Sequence, residues 1–325
     1  MSGRLVVLDA SFGDVSIESA VAAGYGVTID DGGGGVFGQA VVALAGSADG
    51  VLVQYGRIDR EIIEQCPSWR VIGRYGVGVD NVDLDAATER GIAVINVPDY
   101  CVEEVATHAA SLILAGWRKL AFSRELINTG RWSDWKALGP VQPLSSSTLG
   151  LIGIGRIGAE VVRLLGPFFG RVIAFDPVQE PPAGVDPVAL DDVFAEADAV
   201  TLHCPLTPAT HELVNAARLR LMKPGALLVN VSRGALVDTA ALTNALRTGQ
   251  ISGAALDVLP QEPPDPDDPV LSAPNLLLTN HCAWYSEAAL VRVRALLTER
   301  CCNCLAGKPV PTIVNARELA SRSVG

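Results

Sequence analysis

The sequence predicts an α/β protein of two domains, each a parallel sheet covered by helices. Three observations predict it. Short apolar runs alternate with helix-length segments along the chain, one strand-turn-helix unit carries a glycine fingerprint followed by an acidic residue, and 325 residues suffice for two cores. With 49% hydrophobic and 19% charged residues, the chain is neither disordered nor a disulfide-stapled scaffold. The balance of 25 Lys and Arg against 36 Asp and Glu leaves −11 with no basic run, so no nucleic-acid partner is expected. No apolar stretch reaches the roughly 18 residues of a membrane span, and the first apolar run is too short for a secretory signal; neither membrane nor secretion is expected. Seven cysteines, an odd number without framework spacing, fit free thiols in a reducing cytoplasm.

Taken in order, residues 4–8 read as a strand, 17–24 as a helix and 50–54 as a second strand. Residues 71–72, 86–90 and 92–96 continue the alternation. Four glycines, 32–35, follow Asp31; they hold no regular structure cheaply and read as a loop. From 102 to 128, Val105, Ala109, Leu112, Ile113, Gly116 and Leu120 keep helical spacing, which predicts one long helix. Gly130, Trp132, Trp135, Gly139, Pro140 and Pro143 then mark a loop, and the second domain is organised around a strand at Leu149. Further strands are expected at 199–203, 226–230, 254–258 and 275–279, and a helix over 287–306.

The run LGLIGIGRIGAEVV places Gly153, Gly155 and Gly158 after an apolar strand and at the mouth of a helix. Ile157, Val161 and Leu165 share one helix face, Pro167 and Gly170 end it, and 172–175 form the next strand. Asp176 follows Gly158 at the distance where a carboxylate accepts the adenosine ribose hydroxyls. This is a complete Rossmann-like dinucleotide unit: glycines admit the pyrophosphate, and the helix N-terminus offers N–H groups and a favourable dipole. Asp176 repels a 2′-phosphate and Pro177 brings no arginine, so NAD is expected rather than NADP. Ligands of such sheets lie at the carboxyl ends of the strands, where His203, Ser232, Arg233, Asp257, Asn280 and His281 stand. Reducing a 2-oxo acid needs a cation for its carboxylate and an acid titrating near neutrality for its carbonyl oxygen. Arg233, His281 and Glu262 are the candidates.

The runs VNVSRGALVD, AALDVLPQEP, NLLLTNHCAWYSE and RYGVGVDNVDLDAATERGIAVINVP, with the fingerprint between them, resemble the NAD-dependent D-2-hydroxyacid dehydrogenase family over essentially the whole chain. The likeness is nearest to its branch of C-terminal-binding-protein-like and phosphoglycerate-dehydrogenase-like members. It implies two Rossmann-like domains, with the NAD-binding domain, 99–282, inserted into a split substrate domain, 1–98 plus 283–325. It also implies an NAD-dependent oxidoreductase interconverting a 2-oxo acid and a D-2-hydroxy acid. His281 is then proton donor or acceptor, Glu262 orients it, and Arg233 binds the substrate. The implied cofactor contacts are Val77, Thr107, Gly153, Gly155, Arg156, Ile157, Gly158, Asp176, His203, Cys204, Pro205, Thr210, Val231, Ser232, Asp257 and His281. The implied substrate contacts are Tyr55, Arg74, Gly76, Val77, Gly78, Arg233 and Trp284. A homodimer is implied as well. The chain departs from the pattern at Asn280, where many members have Pro, and at Cys101 and Glu104, where phosphoglycerate-type members have Asn and Ser. Which acid is reduced stays open among glyoxylate, hydroxypyruvate, branched or aromatic 2-oxo acids and phosphonate analogues. The alternative is an NAD(H)-sensing, corepressor-like binding protein with little turnover.

Other chemistry-bearing residues read as structural. His108 and His211 fit a helix interior and a helix start. Cys301, Cys302 and Cys304 lack a second ligand pair at zinc spacing, so packing and an exposed thiol are expected and no metal. Cys282, beside His281, would make activity oxidant-sensitive if its thiol were reactive. Trp132 and Trp135 fit a surface or subunit contact.

Overall fold

The computed structural model describes residues 3–322. It divides into two compact units, one built from the chain up to Cys101 and again from Ser286, the other from Val102–Tyr285.

The first unit is organised on strands β1 (Gly3–Val7), β2 (Val27–Asp31), β3 (Gly50–Val53), β4 (Val71–Arg74) and β5 (Ala93–Ile95). They pair in parallel in the order β2-β1-β3-β4-β5. β3 and β5 are buried along their whole length, which is why they read as unbroken apolar runs. β2, with the sequence VTIDD, lies at the sheet edge, and its half-polar composition hid it from the apolar pattern. The helices Gln39–Ala45 and Arg60–Glu64 were likewise not anticipated. The glycine segment is a loop as expected, with Gly33, Gly34 and Gly35 at positive φ. Arg294, on the helix Glu287–Leu305, donates to both oxygens of the fully buried Glu18 at 2.9 and 2.6 Å, and Tyr75 donates to the same carboxylate at 3.0 Å. This buried pair ties the helix Glu287–Leu305 into the N-terminal part of the unit; truncating one partner would strand the other's charge at a cost of about 3–5 kcal/mol.

The second unit carries β6 (Thr148–Ile152), β7 (Arg171–Phe175), β8 (Asp186–Pro187), β9 (Ala199–Leu202), β10 (Leu227–Asn230), β11 (Gly253–Leu256) and β12 (Leu276–Leu278). Their order is β12-β11-β10-β9-β6-β7-β8, all parallel. This is a doubly wound sheet whose direction of winding reverses between β6 and β9, so the loops after those two strands flank the ligand-binding crevice expected of such sheets. β9, β10 and β11 are completely buried, and Phe194, Val200, Leu228 and Leu242 pack the core between the sheet and its helices.

The single helix expected over residues 102–128 is two: Val102–Trp117 and Leu120–Asn128. The break falls at Lys119, whose φ of +53° takes it into the left-handed region. Its Nζ donates to Leu138 O at 2.5 Å, so the side chain serves the following loop. Apolar spacing passes over such a break because it registers Leu120 as apolar, although Leu120 is exposed and the second helix buries Leu126 instead.

Candidate active site

β6 delivers the chain into a turn that only glycine fits. Gly153 has φ +95°, and a Cβ there would come within 2.6–2.7 Å of the His203 and Cys204 backbone; one at Gly158 would sit 2.3 Å from Gly153 O. A Cβ at Gly155 would meet nothing within 4 Å. The helix Arg156–Leu165 begins there with no side chain capping its first turn, leaving the N–H groups around Arg156 and Ile157 available to an anion. Asp176 follows β7. Its Oδ2 accepts Ile154 N–H at 2.7 Å, and its Oδ1 accepts Val178 and Gln179 N–H at 2.8 and 2.9 Å. Burial raises this carboxyl, but the three N–H donors outweigh it and hold Asp176 below its ordinary value. A carboxylate with about four lone-pair sites retains one for a ribose hydroxyl. Turn, helix end and carboxylate thus fit a dinucleotide.

The loop after β9 packs against this turn. His203 N–H donates to Ile152 O at 2.7 Å, and its ring Nε2 lies 3.0 Å from Thr201 Oγ1. Burial pushes the His203 imidazole down to about 4 from an ordinary 6.5 and the Cys204 thiol up to about 11. The Thr210 hydroxyl closes the loop on Pro205 O at 2.8 Å. A histidine depressed on folding takes up its proton more readily when unfolded, so its contribution to stability is present above pH 6.5 and is lost as pH falls toward 4. Urea unfolding of the cofactor-free protein at pH 5 and pH 7.5 is expected to show the wild type losing about 2 kcal/mol more than His203→Asn. Equal losses would contradict a partly buried His203 that stays neutral in the fold.

β10 ends at the fully buried Asn230, whose Oδ1 accepts Ser232 N–H at 3.0 Å and whose Nδ2 donates to Arg233 O at 2.8 Å. Val231 is buried between them, and Ser232 Oγ donates to Leu202 O at 2.7 Å. Arg233 Nη1 donates to Ser232 O at 2.7 Å. Gly234 follows because a Cβ would lie 1.9 Å from Leu259 C. That close approach lays the Arg233 loop on the loop after β11, which carries Glu262.

Glu262 Oε1 accepts Leu259 N–H at 2.9 Å, and its Oε2 lies 2.6 Å from His281 Nδ1. Burial raises the Glu262 carboxyl, yet the His281 bond and charge, the Leu259 N–H and the Arg233 charge together hold it below the usual carboxylate range. An ionised Glu262 only accepts, so Nδ1 carries a proton and Nε2 is the nitrogen left for chemistry. His281 has φ +53°, a conformation costing an L-residue about 1–2 kcal/mol, and its backbone N–H is held by Asp257 O at 2.8 Å. Asp257, 2% exposed, accepts from Thr279 Oγ1 at 2.6 Å and from Cys282 and Ala283 N–H at 3.0 Å each. Trp284 stands edge-on to Tyr285 with ring centroids 5.7 Å apart.

His108 enters this cluster unanticipated: its Nε2 lies 3.0 Å from Thr279 Oγ1 and 3.6 Å from Asp257 Oδ1. His108, Asp257 and Cys282 offer metal-ligand atoms within 4.8 Å of one another, but Asp257 already serves three short donors. His211 is exposed. Thr107 spends its hydroxyl on the Glu103 and Glu104 carbonyls at 2.8 and 3.0 Å. Cys301 and Cys302 are buried, in keeping with the expected packing, but the expected exposed thiol is corrected: Cys304 is partly buried, because the helix Glu287–Leu305 turns that face inward. Burial also raises the Cys282 thiol, which works against reactivity there.

In the first unit, Arg74 ends β4 and its guanidinium lies over Gly76, where a Cβ would overlap Nη1. Asn96 Nδ2 donates to Val77 O at 2.6 Å, and the segment continues through Gly78. Tyr55, half-exposed, follows β3. Its N–H and those of Gln54 and Gly56 converge on the buried carboxylate of Asp9.

The family model of the D-isomer specific 2-hydroxyacid dehydrogenase NAD-binding domain matches residues 110–283. The D-3-phosphoglycerate dehydrogenase of Archaeoglobus fulgidus is 38% identical over 263 residues, 80% of this chain, which spans about half of that protein's length. The glyoxylate reductase of Korarchaeum cryptofilum is 38% identical over 276 residues, 82% of each chain. Among solved structures, an acyclic imino acid reductase (Bsp5) in complex with NADPH and D-Arg superposes with a TM-score of 0.87 at 28% identity, covering 96% of this chain and 100% of that one. The domain so matched includes the glycine turn, Asp176, Arg233 and the Glu262–His281 pair, and its cofactor is NAD. By matched sequence, fold and placement of these residues, the chain belongs to the D-isomer specific 2-hydroxyacid dehydrogenase family.

Proposed function

We propose that this protein interconverts a small 2-oxo acid and the corresponding D-2-hydroxy acid, with NAD as cofactor. The observation that carries this reading is the 2.6 Å contact between His281 Nδ1 and Glu262, beside Arg233, at the carboxyl edge of the NAD-binding sheet. When bound, NADH supplies the hydride that reaches the carbonyl carbon. His281 Nε2 gives its proton to the carbonyl oxygen and takes it back in the oxidative direction, while Glu262 stabilises the imidazolium. Arg233 meets the substrate carboxylate and polarises the carbonyl. Asp176 takes the adenosine ribose, and Gly153, Gly155 and Gly158 with the first turn at Arg156 and Ile157 take the pyrophosphate. Val77, Thr107, His203, Cys204, Pro205, Thr210, Val231, Ser232, Asp257 and His281 complete the proposed cofactor set. Tyr55, Arg74, Gly76, Val77, Gly78 and Trp284 are proposed to act in substrate binding.

The glyoxylate reductase relative, covered over most of its length, supports a small 2-oxo acid. Cys101 and Glu104 stand where phosphoglycerate-type members have Asn and Ser, which disfavours phosphoglycerate. The test is NADH oxidation followed at 340 nm over a panel of 2-oxo acids, with NADPH in parallel and ammonia added to offer imino acids. Turnover of a 2-oxo acid without ammonia is expected, with NADH favoured over NADPH by on the order of 100-fold because Asp176 opposes a 2′-phosphate. Asp176→Ala is expected to narrow that ratio. Tight NADH binding without turnover of any acid would instead support a sensing role.

We also propose a homodimer in the cytoplasm. Supporting the first are Trp132 and Trp135, 80% and 70% exposed, and the exposed Leu120 and Ile127 of the same segment. Supporting the second are the seven unbridged cysteines; no helix among the described residues is long and apolar enough to cross a membrane. Light scattering giving the mass of one chain would reject the dimer.

A further inference from the structure

We propose that His108 and Thr279 are positioning residues for the proton donor: with Asp257 they form a hydrogen-bonded chain that holds the turn on which His281 stands. The proposal rests on the reading of His281 as proton donor, in which neither residue has a part.

The turn begins where β12 ends. Thr279 N–H still pairs with Leu256 O at 3.0 Å, and two residues later His281 N–H reaches Asp257 O at 2.8 Å. His281 itself sits in the left-handed region, which an L-residue holds only when its neighbours impose it. Asp257 imposes it from both sides. Its carboxylate binds the Thr279 hydroxyl ahead of His281 and the Cys282 and Ala283 N–H groups behind it. The buried carboxylate thus spans the turn, and its charge strengthens each of these bonds.

Thr279 fixes the direction of the chain. A carboxylate can only accept, so the single hydroxyl proton of Thr279 goes to Asp257 Oδ1. The hydroxyl oxygen then presents lone pairs to His108 Nε2 at 3.0 Å, so Nε2 is the donor. In neutral His108 the proton is therefore on Nε2, and the same nitrogen lies 3.6 Å from Asp257 Oδ1. His108 stands on the helix Val102–Trp117, a rigid element that anchors the far end of the chain. Were the Thr279 link lost, the turn could relax, and the 2.6 Å contact of His281 Nδ1 with Glu262 would be the first to lengthen.

The experiment compares full-length wild type with Thr279→Val, Thr279→Ser, His108→Gln and His108→Leu. Thr279→Val is expected to lower kcat about tenfold, since small misplacement of a catalytic group costs this much, while the Kd for NADH from fluorescence titration stays within about twofold. Thr279→Ser and His108→Gln, which keep the hydroxyl and an N–H donor, are expected to retain kcat within about threefold. In 15N-histidine NMR of the cofactor-free protein, His108 is expected as the Nε2–H tautomer, and the His281 ring signals are expected to shift in Thr279→Val. Unchanged kcat and His281 signals in Thr279→Val, a serine variant as impaired as the valine one, NADH affinity falling in step with kcat, or a proton on His108 Nδ1 would each overturn the proposal. A folded wild type that turns over no substrate would sink the reductase reading alone. The NMR comparison then decides, with shifted His281 signals supporting the chain and unshifted ones overturning it.

Discussion

Replacing His281 by alanine is expected to lower kcat for 2-oxo acid reduction by about 10³-fold while the Kd for NADH stays within about twofold. The expectation follows from the division of labour within the second unit. The proposed cofactor contacts, the glycine turn, the helix end and Asp176, lie after β6 and β7. His281 lies after β12, where Glu262 fixes its ring through Nδ1 and leaves Nε2 to the substrate. Removing the imidazole takes away the proton that the carbonyl oxygen needs as it becomes an alkoxide, whereas His281 is only one of many proposed cofactor contacts, so most of the cofactor's grip remains. Steady-state rates at saturating NADH, paired with fluorescence titration, check both halves. Loss of NADH affinity equal to the loss of rate would make His281 a binding residue instead.

Arg233→Ala is expected to lower kcat/KM for the 2-oxo acid by about 10³-fold, with KM rising as well as kcat falling. A guanidinium that binds a carboxylate in the ground state and a developing oxyanion in the transition state affects both constants, unlike His281. The loop is built to hold it: Asn230 grips both sides of the turn, and Gly234 admits the Leu259 backbone at a distance no other residue permits. Arg233→Lys keeps the charge without the two-pronged geometry and is expected to recover only part of the loss. An alanine variant with unchanged KM and kcat would remove Arg233 from the site.

Much of this was legible in the sequence because it is chemically local. The turn at Gly153–Gly158, the carboxylate at Asp176 and the buried strands around them are written within one stretch of chain, and glycine is required there by contacts as short as 2.3 Å. Arg233, Glu262 and His281 could be named from the chemistry they suit and from the strand ends on which they fall. That Glu262 and His281 meet at 2.6 Å required the structure. The sequence presents His108 as a structural helix residue because its partner Thr279 is 171 positions away and a helical pattern carries no sign of it. The long helix is over-extended for a related reason: apolar residues recur on both sides of Lys119, and its positive φ accompanies a bond to Leu138, in a short 3-10 turn with no periodic signal. β2 escaped because an edge strand of VTIDD buries little. Cys301 and Cys302 pack as the sequence suggests, and only the exposed thiol expected beside them differs, Cys304 being partly buried, because burial depends on which face of a helix turns inward.

The central claim, hydride delivery to one face of a carbonyl with His281 protonating the oxygen, is tested most directly by the configuration of the product. Wild-type protein, NADH and the 2-oxo acid it turns over should yield a single D-2-hydroxy acid on a chiral column, and His281→Ala should yield almost none in the same time. An L or racemic product, or D product formed undiminished by the alanine variant, would contradict the account.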